Sequence, residues 1–422
     1  MPAASAPEMP KTTHGTATST APAAARTPLL TRSVYESVFL LTDAPGIASQ
    51  KGDAGGLPVY ASVLALATQE THPEILSSGA GLSAAVAVES GTALGQFEPV
   101  RARGYWEQVW IRFKKDKVAL AGGAYIIFVI LVGFVGAPIV AAILGHGPND
   151  QFANGLDPKT LLPVGPWTHI SLAPYPGATG HFGSTLFVLG GDSQLGRDEF
   201  LRLLYGTRTS LEVAVGATIL SMFVGVLMGA VAGYFGGWSD TLVSRLTDIT
   251  MAFPYFLFVI ALASTAGPRL NGITLGGVFA PGVVTLVFVL GFFGWYYPAR
   301  IVRAQVLSLR EKEFVEAARM TGASDGRIVR SHLLPHLVAP IIVLSTITVA
   351  QFILAEAGLS FLGLGIQQPT SSWGNLLSTG PDYYLTQPWL MVWPGLAVLF
   401  ATLAFNLLGD GLRDAFDPRA SH

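Results

Sequence analysis

Six stretches without a single charged residue dominate the chain of 422 residues. They occupy residues 118–144, 213–234, 249–266, 283–299, 337–355 and 389–408. Each stretch approaches or exceeds the roughly 20 apolar residues with which a helix crosses about 30 Å of hydrocarbon. Only 12% of the residues are charged, which is half of the roughly 25% found in soluble domains. The sequence therefore predicts an all-α, polytopic membrane protein with six transmembrane helices.

The loops between the six stretches differ in their content of lysine and arginine. Residues 101–117 contain six of these cations and residues 300–330 contain seven, whereas residues 357–388 contain none. Because positively charged loops remain in the cytoplasm, both termini are predicted to lie there. The predicted segments are a cytoplasmic extension 1–100, an interfacial and first membrane helix 101–145, an extracytoplasmic loop 146–210, a transmembrane core 211–410 with a cytoplasmic loop 301–336, and a cytoplasmic tail 411–422.

The N-terminal extension has a different composition from the rest of the chain. Residues 1–100 are rich in alanine, serine, threonine, glycine and proline. Such a segment cannot bury enough apolar surface to offset the entropy of ordering, so it is predicted to be mostly disordered. After it, Trp106, Trp110 and Phe113 fall on one helical face beside the cations of residues 101–117. This pattern predicts an interfacial helix on anionic lipid, or alternatively an ordinary basic flank of the first membrane helix.

Several classes of chemistry are excluded by missing residues and motifs. The chain has no cysteine, and it contains no GxxxxGK[ST], GxSxG or HExxH motif. Among its eight histidines only His332 and His336 share a helical spacing, with Pro335 between them. The sequence thus predicts no catalytic residue, no metal site and no cofactor bound by this chain. Nothing in it predicts nucleic-acid binding.

Residues 310–335 are the most charged part of the second half of the chain, and we call them the charged hairpin. Small or apolar residues recur there at helical spacing: Phe314, Ala317, Ala318 and Thr321. The pattern predicts a helix over residues 311–321, which Gly322 ends by adopting a left-handed conformation. Ser324 is then positioned to cap a second helix that runs to Leu334, before Pro335. The product is a helix-turn-helix with a flat Ala-Ala patch, a shape suited to docking.

The charged hairpin resembles the cytoplasmic EAA loop of ABC-importer permeases. The resemblance rests on Glu316, Ala317, Ala318, Gly322, Leu334 and Pro335. The sequence departs from the family pattern at His332, which stands where isoleucine is usual. In that family the loop inserts into a groove of the ATPase, so the resemblance implies that these six residues form the ATPase-coupling site. The alternative is a charged connector whose alanines merely favour helix formation.

Three further segments resemble the dipeptide and oligopeptide permease subgroup, in particular its C-type permease. They are residues 190–211, 356–377 and 405–419, and the resemblance extends over residues 118–419. The matching positions in the first segment are Asp192, Gly196, Arg197, Asp198, Arg202, Gly206, Arg208 and Ser210. Of these, Asp192, Arg197, Asp198 and Arg202 are candidate contacts on the extracytoplasmic side.

The resemblance implies the ABC importer permease fold in a bacterial inner membrane and a set of partners. These are a second homologous permease, two cytoplasmic ATPases that bind ATP and magnesium, and an extracytoplasmic substrate-binding protein. Proton- or sodium-coupled carriers need ionisable side chains at the centres of their membrane helices, and the six stretches have none there. The energy for transport is therefore expected to come from outside the chain, as the resemblance implies. Di- and oligopeptides are the implied cargo, with nickel or glutathione as alternatives within the subgroup. The alternative from another class is a non-transporting membrane enzyme or scaffold.

Glu356 is the only carboxylate at the end of the fifth stretch, and it is a candidate residue of the outer pore mouth. Because burial of an unpaired carboxylate costs several kcal/mol, we expect this side chain to face water or a partner. Two functional roles fit its position. It attracts the cationic amine of an incoming peptide, or it holds the turn of residues 358–365 through a hydrogen bond. A solvated residue at a helix end is the third interpretation.

Overall fold

The computed structural model describes residues 104–173, 183–270 and 272–417. The predicted disorder of the N-terminal extension falls outside the described residues. The helices are α1 Tyr105–Phe113, α2 Lys117–Leu131, α3 Ala137–Leu144, α4 Glu199–Phe235, α5 Gly237–Ala252, α6 Tyr255–Leu270, α7 Val283–Phe293, α8 Tyr296–Leu309, α9 Glu313–Met320, α10 Asp325–Ile328, α11 Leu334–Phe361, α12 Trp373–Thr379 and α13 Trp389–Phe416. Two π-helical turns, Val132–Gly136 and Val329–Leu333, join α2 to α3 and α10 to α11.

The loop between α3 and α4 contains short strands that the sequence did not predict. The strands are β1 Thr168–Ser171, β2 Ser184–Phe187, β3 Gly191–Asp192 and β4 Arg197–Asp198. β1 pairs with β2 and β3 pairs with β4, both antiparallel. Thr168 faces Phe187 in the first pair, and Asp192 faces Arg197 in the second. The second hairpin leads directly into α4 and therefore sets where that helix begins.

Within the described residues, four helices are long and apolar enough to cross a membrane. They are Lys117–Leu144, Glu199–Phe235, Asp325–Phe361 and Trp389–Phe416. Two bent helix pairs, α5 with α6 and α7 with α8, pass the same test together. The number of spans reaches the predicted six when each bent pair is counted as one, so the prediction of a six-span helical membrane protein holds in that sense.

The third predicted stretch is not one helix. α5 ends at Ala252, α6 begins at Tyr255, and the two axes differ by 83°. Pro254 explains the break, because proline lacks an N–H and its ring disfavours the helical conformation of the preceding residue. Phe253 indeed takes an extended conformation with φ −90° and ψ 137°. The sequence predicted one continuous span over residues 249–266, whereas the bent pair begins at Gly237 and is interrupted before Tyr255.

Close helix packing at glycines organises the centre of the fold. α4 packs against α7, α8 and α11. Gly225, Gly229 and Gly233 are spaced four residues apart along the face of α4 that meets α8. A Cβ atom on Gly229 would lie 2.5 Å from the carbonyl oxygen of Ala299, which is too close for any side chain. Small residues at these positions therefore permit close packing of the membrane helices.

The predicted interfacial helix exists as α1, but its aromatic face is divided. Trp106 and Trp110 are exposed, whereas Phe113 is buried in a cluster with Ala119 and Ala415. Phe113 therefore anchors α1 to α2 and α13 and is not available to lipid. The two exposed tryptophans keep the amphipathic character expected at a membrane interface.

Candidate functional site

The charged hairpin begins with α9, which the sequence predicted two residues too long at its start and one at its end. Gly322 follows with φ +80°, the left-handed conformation expected of it. Its N–H donates to the carbonyl oxygen of Arg319 at 2.9 Å, and the N–H of Ala323 donates to that of Ala318 at 3.0 Å. A Cβ atom on Gly322 would meet nothing within 4 Å. The glycine is thus required by the backbone angle and not by lack of space.

The second arm of the charged hairpin differs from the prediction in two respects. Ser324 occupies the N-cap position of α10, but its side chain makes no capping hydrogen bond. The helix also does not stop before Pro335, because the turn Val329–Leu333 carries it into α11. Pro335 is the second residue of α11 and directly follows the π-helical turn Val329–Leu333, where the regular α-helical hydrogen-bond pattern is already interrupted. The hairpin is therefore continuous with a membrane span.

A buried apolar cluster fixes the base of the charged hairpin to α4 and α8. Its members include Ala230, Tyr234, Val302, Val306, Val315, Ala318, Ile328 and Leu333. The Tyr234 hydroxyl donates to a carboxylate oxygen of Asp325 at 2.6 Å, and the Arg319 guanidinium lies 5.6 Å from the centre of the Tyr234 ring. Movement of the hairpin must therefore be shared by the ends of α4 and α8 that it contacts.

The predicted Ala-Ala patch is divided between the base and the exposed face. Ala318 is buried in the apolar cluster, whereas Glu316 and Ala317 are exposed. Gly322 and Pro335 are also exposed, and Leu334 is half-buried. The sequence reasoning missed Met320, which is 83% exposed. The sequence could have indicated it, because Met320 lies three residues after Ala317 and four after Glu316, and residues at these spacings share one face of a helix.

The second group of candidate residues, Asp192, Arg197, Asp198 and Arg202, forms a buried charge cluster that we call the Asp192 cluster. None of the four is more than 1% exposed, so the expectation of extracytoplasmic surface contacts is wrong for this structure. Arg197 donates to both carboxylate oxygens of Asp192, at 3.1 and 2.8 Å. Nε of Arg202 lies 2.6 Å from Oδ2 of Asp192. Burial is tolerated because the charges are paired in this way.

Asp198 caps the N-terminus of α4 from within the Asp192 cluster. Its Oδ1 accepts hydrogen bonds from the N–H groups of Phe200 at 2.9 Å and Leu201 at 3.4 Å. Burial raises the pKa of Asp198 to about 6, and the nearby charge of Asp192 acts in the same direction. His146, whose Nε2 lies 3.6 Å from Oδ2 of Asp198, has a pKa lowered by burial. Sequence reasoning missed His146 because it lies 52 residues before Asp198.

Arg202 also links two loops that are far apart in the sequence. Its Nη1 donates to the carbonyl oxygen of Pro369 at 3.2 Å and to the side-chain oxygen of Asn149 at 3.0 Å. The Asp192 cluster therefore holds the loop that follows α11 against the start of α4. Glu199 is buried beside the cluster, and it too was missed as a candidate although it lies within the segment that carries the resemblance.

Glu356 is fully buried and faces protein partners, so of the two expected surroundings, water or a partner, the structure shows the partner and not an open pore mouth. Its carboxylate accepts hydrogen bonds from the hydroxyls of Ser360 at 2.7 Å and Ser210 at 2.8 Å. The Ser360 hydroxyl accepts a hydrogen bond from the backbone N–H of Ile366 at 3.0 Å. The Ser210 hydroxyl accepts one from the backbone N–H of Trp373 at 3.1 Å. This geometry agrees with the second predicted role, which is to hold the turn after α11. Burial is possible because serines supply the partners that the sequence alone did not reveal.

No group of three or more histidine, aspartate or glutamate side chains among the described residues is arranged to hold a metal ion. The arrangement instead provides a rigidly based hairpin at one end of α4 and a buried polar network at the other.

Comparison with known proteins places these features in a family. The family model described as binding-protein-dependent transport system inner membrane component matches residues 225–422. The model described as N-terminal TM domain of oligopeptide transport permease C matches residues 104–163. A chain of the MetNI methionine ABC transporter, solved in inward facing conformations, has a TM-score of 0.40 and 19% identity, over 52% of this chain and 97% of that one.

Two curated relatives match most of the chain. The dipeptide transport system permease protein DppC of Alkalihalophilus pseudofirmus is 36% identical over 314 residues, covering 74% of this chain and 90% of that protein. The protein of the same name from Bacillus subtilis is 36% identical over 316 residues, covering 75% of this chain and 86% of that protein. The chain therefore belongs to the family of binding-protein-dependent transport system inner membrane components, the multi-pass permeases of ABC importers.

Proposed function

We propose that this permease forms half of the pathway through which an ATP-driven importer carries di- or oligopeptides across the inner membrane. As a member of its family the chain is a transporter subunit and not an enzyme, and it works in a membrane complex with other ABC components. The peptide cargo is supported by two relatives named as dipeptide permeases, each at 36% identity over more than four fifths of its length.

The proposed complex contains a second homologous permease, two cytoplasmic ATPases that bind ATP and magnesium, and an extracytoplasmic substrate-binding protein. Both termini and the charged hairpin lie in the cytoplasm in this arrangement, which the positive charge of residues 101–117 and 300–330 supports. The Asp192 cluster and Glu356 then lie near the extracytoplasmic end. Membrane lipid surrounds the exposed apolar side chains of the spans, for example Ile127, Phe128 and Ile143.

The observation that carries the proposal is the charged hairpin, whose base is buried while its tip is exposed. Glu316, Ala317, Met320 and Gly322 are free to enter a groove of the ATPase. Val315 and Ala318 of the same short helix are packed against α4 and α8. α4 has 37 residues, so it extends about 55 Å from the hairpin to the Asp192 cluster. A displacement of the docked hairpin is in this way passed to both ends of the pathway.

Uptake by the complete importer in proteoliposomes tests the cargo. The external solution contains the substrate-binding protein and a radiolabelled tripeptide, glutathione or nickel ion, with ATP enclosed. We expect ATP-dependent accumulation of the tripeptide above the level seen with an importer whose ATPases cannot hydrolyse ATP. Accumulation of nickel or glutathione instead, with no uptake of di- or tripeptides, would contradict the proposed cargo and leave the family assignment intact.

A further inference from the structure

A cavity of about 430 Å³ opens between α6, the junction of α7 with α8, and α11. Three tyrosines, Tyr255, Tyr296 and Tyr297, line it together with Thr348, Gln351 and Phe352. None of its lining residues is charged. We call it the tyrosine cavity. Its volume lies within the range of sites that bind small molecules, about 300 to 1,000 Å³.

Both broken membrane spans contribute to the tyrosine cavity at their breaks. Tyr255 is the first residue of α6 after the interruption at Pro254, and Tyr296 is the first residue of α8 after the interruption at Gly294. Backbone without regular helical hydrogen bonding is tolerated at membrane depth only where protein buries it or a water-filled cavity receives it. In secondary transporters, interrupted membrane helices form the substrate sites, and the same physical reason applies to any membrane-spanning bundle.

The break at Gly294 is fixed by packing on the cavity wall. A Cβ atom at this position would lie 2.8 Å from the Leu290 carbonyl oxygen and 2.8 Å from the Phe352 ring. The Tyr255 hydroxyl donates to the same Leu290 carbonyl at 3.0 Å. The wall is therefore a built surface that holds α6, α7 and α11 in register, and not a gap left by loose packing.

Gln351 exposes an amide at membrane depth. It lies ten residues before Phe361, the end of α11, and hence about 15 Å from that end, near half the thickness of the hydrocarbon. Its side chain is exposed. Within residues 104–173, 183–270 and 272–417 the amide has no hydrogen-bond partner. An amide facing lipid without a partner costs several kcal/mol, so this side of α11 must face water, ligand or protein.

A second cavity, of about 630 Å³, continues the surface toward the C-terminal end of α13. It shares Tyr297 with the tyrosine cavity and is lined further by Gln305, His336 and Arg413. Together the two cavities form a groove along α8 and α11. The groove connects mid-membrane depth with the region of the charged hairpin, as a half of a translocation pathway requires.

We propose that the tyrosine cavity contacts the main chain of the peptide during its passage. This inference rests on the proposed function. The amide of Gln351 and the hydroxyls of Tyr296 and Tyr297 can donate to peptide carbonyls and accept from peptide N–H groups whatever the side chains are. The aromatic rings supply apolar contact area for variable side chains. Because the wall carries no charge, it does not trap the charged ends of the peptide, and release remains fast.

Cross-linking tests this contact directly, since the chain has no cysteine of its own. Gln351→Cys is made in this chain, in the complete importer freed of other accessible thiols, and is given a transported tripeptide that carries an activated disulfide. Ile143→Cys in α3, 77% exposed, is the control. We expect mixed disulfide at residue 351 during ATP-driven turnover, at least tenfold above the control and above the level without ATP. Equal labelling at both positions, or none at residue 351 in an importer that accumulates the tripeptide, would overturn the inference while the proposed function stands.

Transport kinetics provide a second readout. Gln351→Leu removes the amide but keeps the size of the side chain, and the exposed position makes a folding defect small. We expect about a tenfold lower maximal rate of tripeptide uptake, as for the loss of one unreplaced hydrogen bond, with Gln351→Asn retaining more of the rate. Binding of the tripeptide to the substrate-binding protein is expected to be unchanged. Wild-type uptake by Gln351→Leu would contradict the proposed contact.

Discussion

Gly322 shapes the charged hairpin through its backbone angle alone, because the space around it is empty. Valine resists positive φ, whereas asparagine adopts it several-fold more readily than most residues. We therefore expect Gly322→Val to assemble and insert normally but to lower uptake at least tenfold, and Gly322→Asn to remain close to wild type. Uptake in proteoliposomes, normalised to the amount of assembled complex, measures the effect. Normal uptake by the valine variant would show that the turn is not needed for coupling.

Substitution of Glu356 distinguishes two roles of this residue, holding the turn after α11 by hydrogen bonds and attracting a peptide amine by charge. Its carboxylate is buried between Ser210 and Ser360, so we expect no direct attraction of a peptide amine. Glu356→Gln should lower uptake of a free peptide and its N-acetylated form by the same factor. The measurement uses a substrate-binding protein that accepts both forms. A loss of uptake for the free peptide alone would show that Glu356 does attract the peptide amine at the pore mouth.

The pKa of Asp198, raised to about 6 by burial, predicts a pH dependence of stability. A raised carboxyl pKa favours the folded state below pH about 4, and this contribution is lost as the pH rises through about 6. Asp198→Asn keeps a capping side chain but stays neutral. We expect the variant to gain stability relative to wild type between pH 4 and 7, by on the order of 3 kcal/mol.

Thermal unfolding of the purified complex at several pH values measures this difference. His146, whose pKa is lowered by burial, favours the folded state as the pH rises, but it is present in both proteins. Its contribution therefore largely cancels in the comparison. Parallel midpoints for wild type and Asp198→Asn from pH 4 to 7 would show that Asp198 does not titrate within this range.

At the scale of elements, the contact between α4 and α8 depends on glycine. A Cβ atom on Gly229 would overlap the Ala299 carbonyl, whereas one on Gly123 would make an ordinary contact at 3.6 Å with Leu408. We expect Gly229→Ala to destabilise the permease by about 1–3 kcal/mol and to lower its thermal midpoint. Gly123→Ala is the matched control in another span and should change little. Equal midpoints for the two variants would contradict the packing described for α4.

The spans were predictable because lipid imposes one strong rule, a long run of residues without charge. Their interruptions were less visible, since an average over hydropathy conceals what Pro254 and Gly294 do to the backbone. The turn at Gly322 was predictable because a local backbone angle determines it. The burial of Ala318 was not, since the alanine spacing alone does not show which face of α9 meets α4 and α8.

Buried charges were the main failure of prediction, and the reason is distance along the chain. Arg202 contacts Pro369 across 167 residues, and Glu356 contacts Ser210 across 146. A sequence read locally shows a charge and predicts exposure, because it does not show the partner. For the Asp192 cluster, the predicted surface contacts do not agree with burial. For Glu356, attraction of a peptide amine does not agree with burial, whereas the predicted hydrogen bonding that holds the turn does.

At the scale of the whole molecule, α4 connects two polar assemblies that lie at opposite ends of the membrane span. Tyr234 joins its C-terminal end to the charged hairpin, and Ser210 joins its N-terminal part to Glu356 and Trp373. The tyrosine cavity lies beside this frame, on α6, α8 and α11. In the proposed importer, ATP-driven movement of the charged hairpin would reach both ends of the pathway through this one helix.

Replacement of Ala317, at the exposed tip of the charged hairpin, tests the central claim of coupling most directly. Ala317→Glu places a bulky charge on the docking face, while Ala317→Ser keeps the small size and is the control. With the permease pair, ATPases and substrate-binding protein in proteoliposomes, we predict that peptide-stimulated ATP hydrolysis falls at least tenfold in Ala317→Glu and stays near wild type in Ala317→Ser. Full peptide-stimulated hydrolysis by an assembled Ala317→Glu complex would contradict coupling through this hairpin.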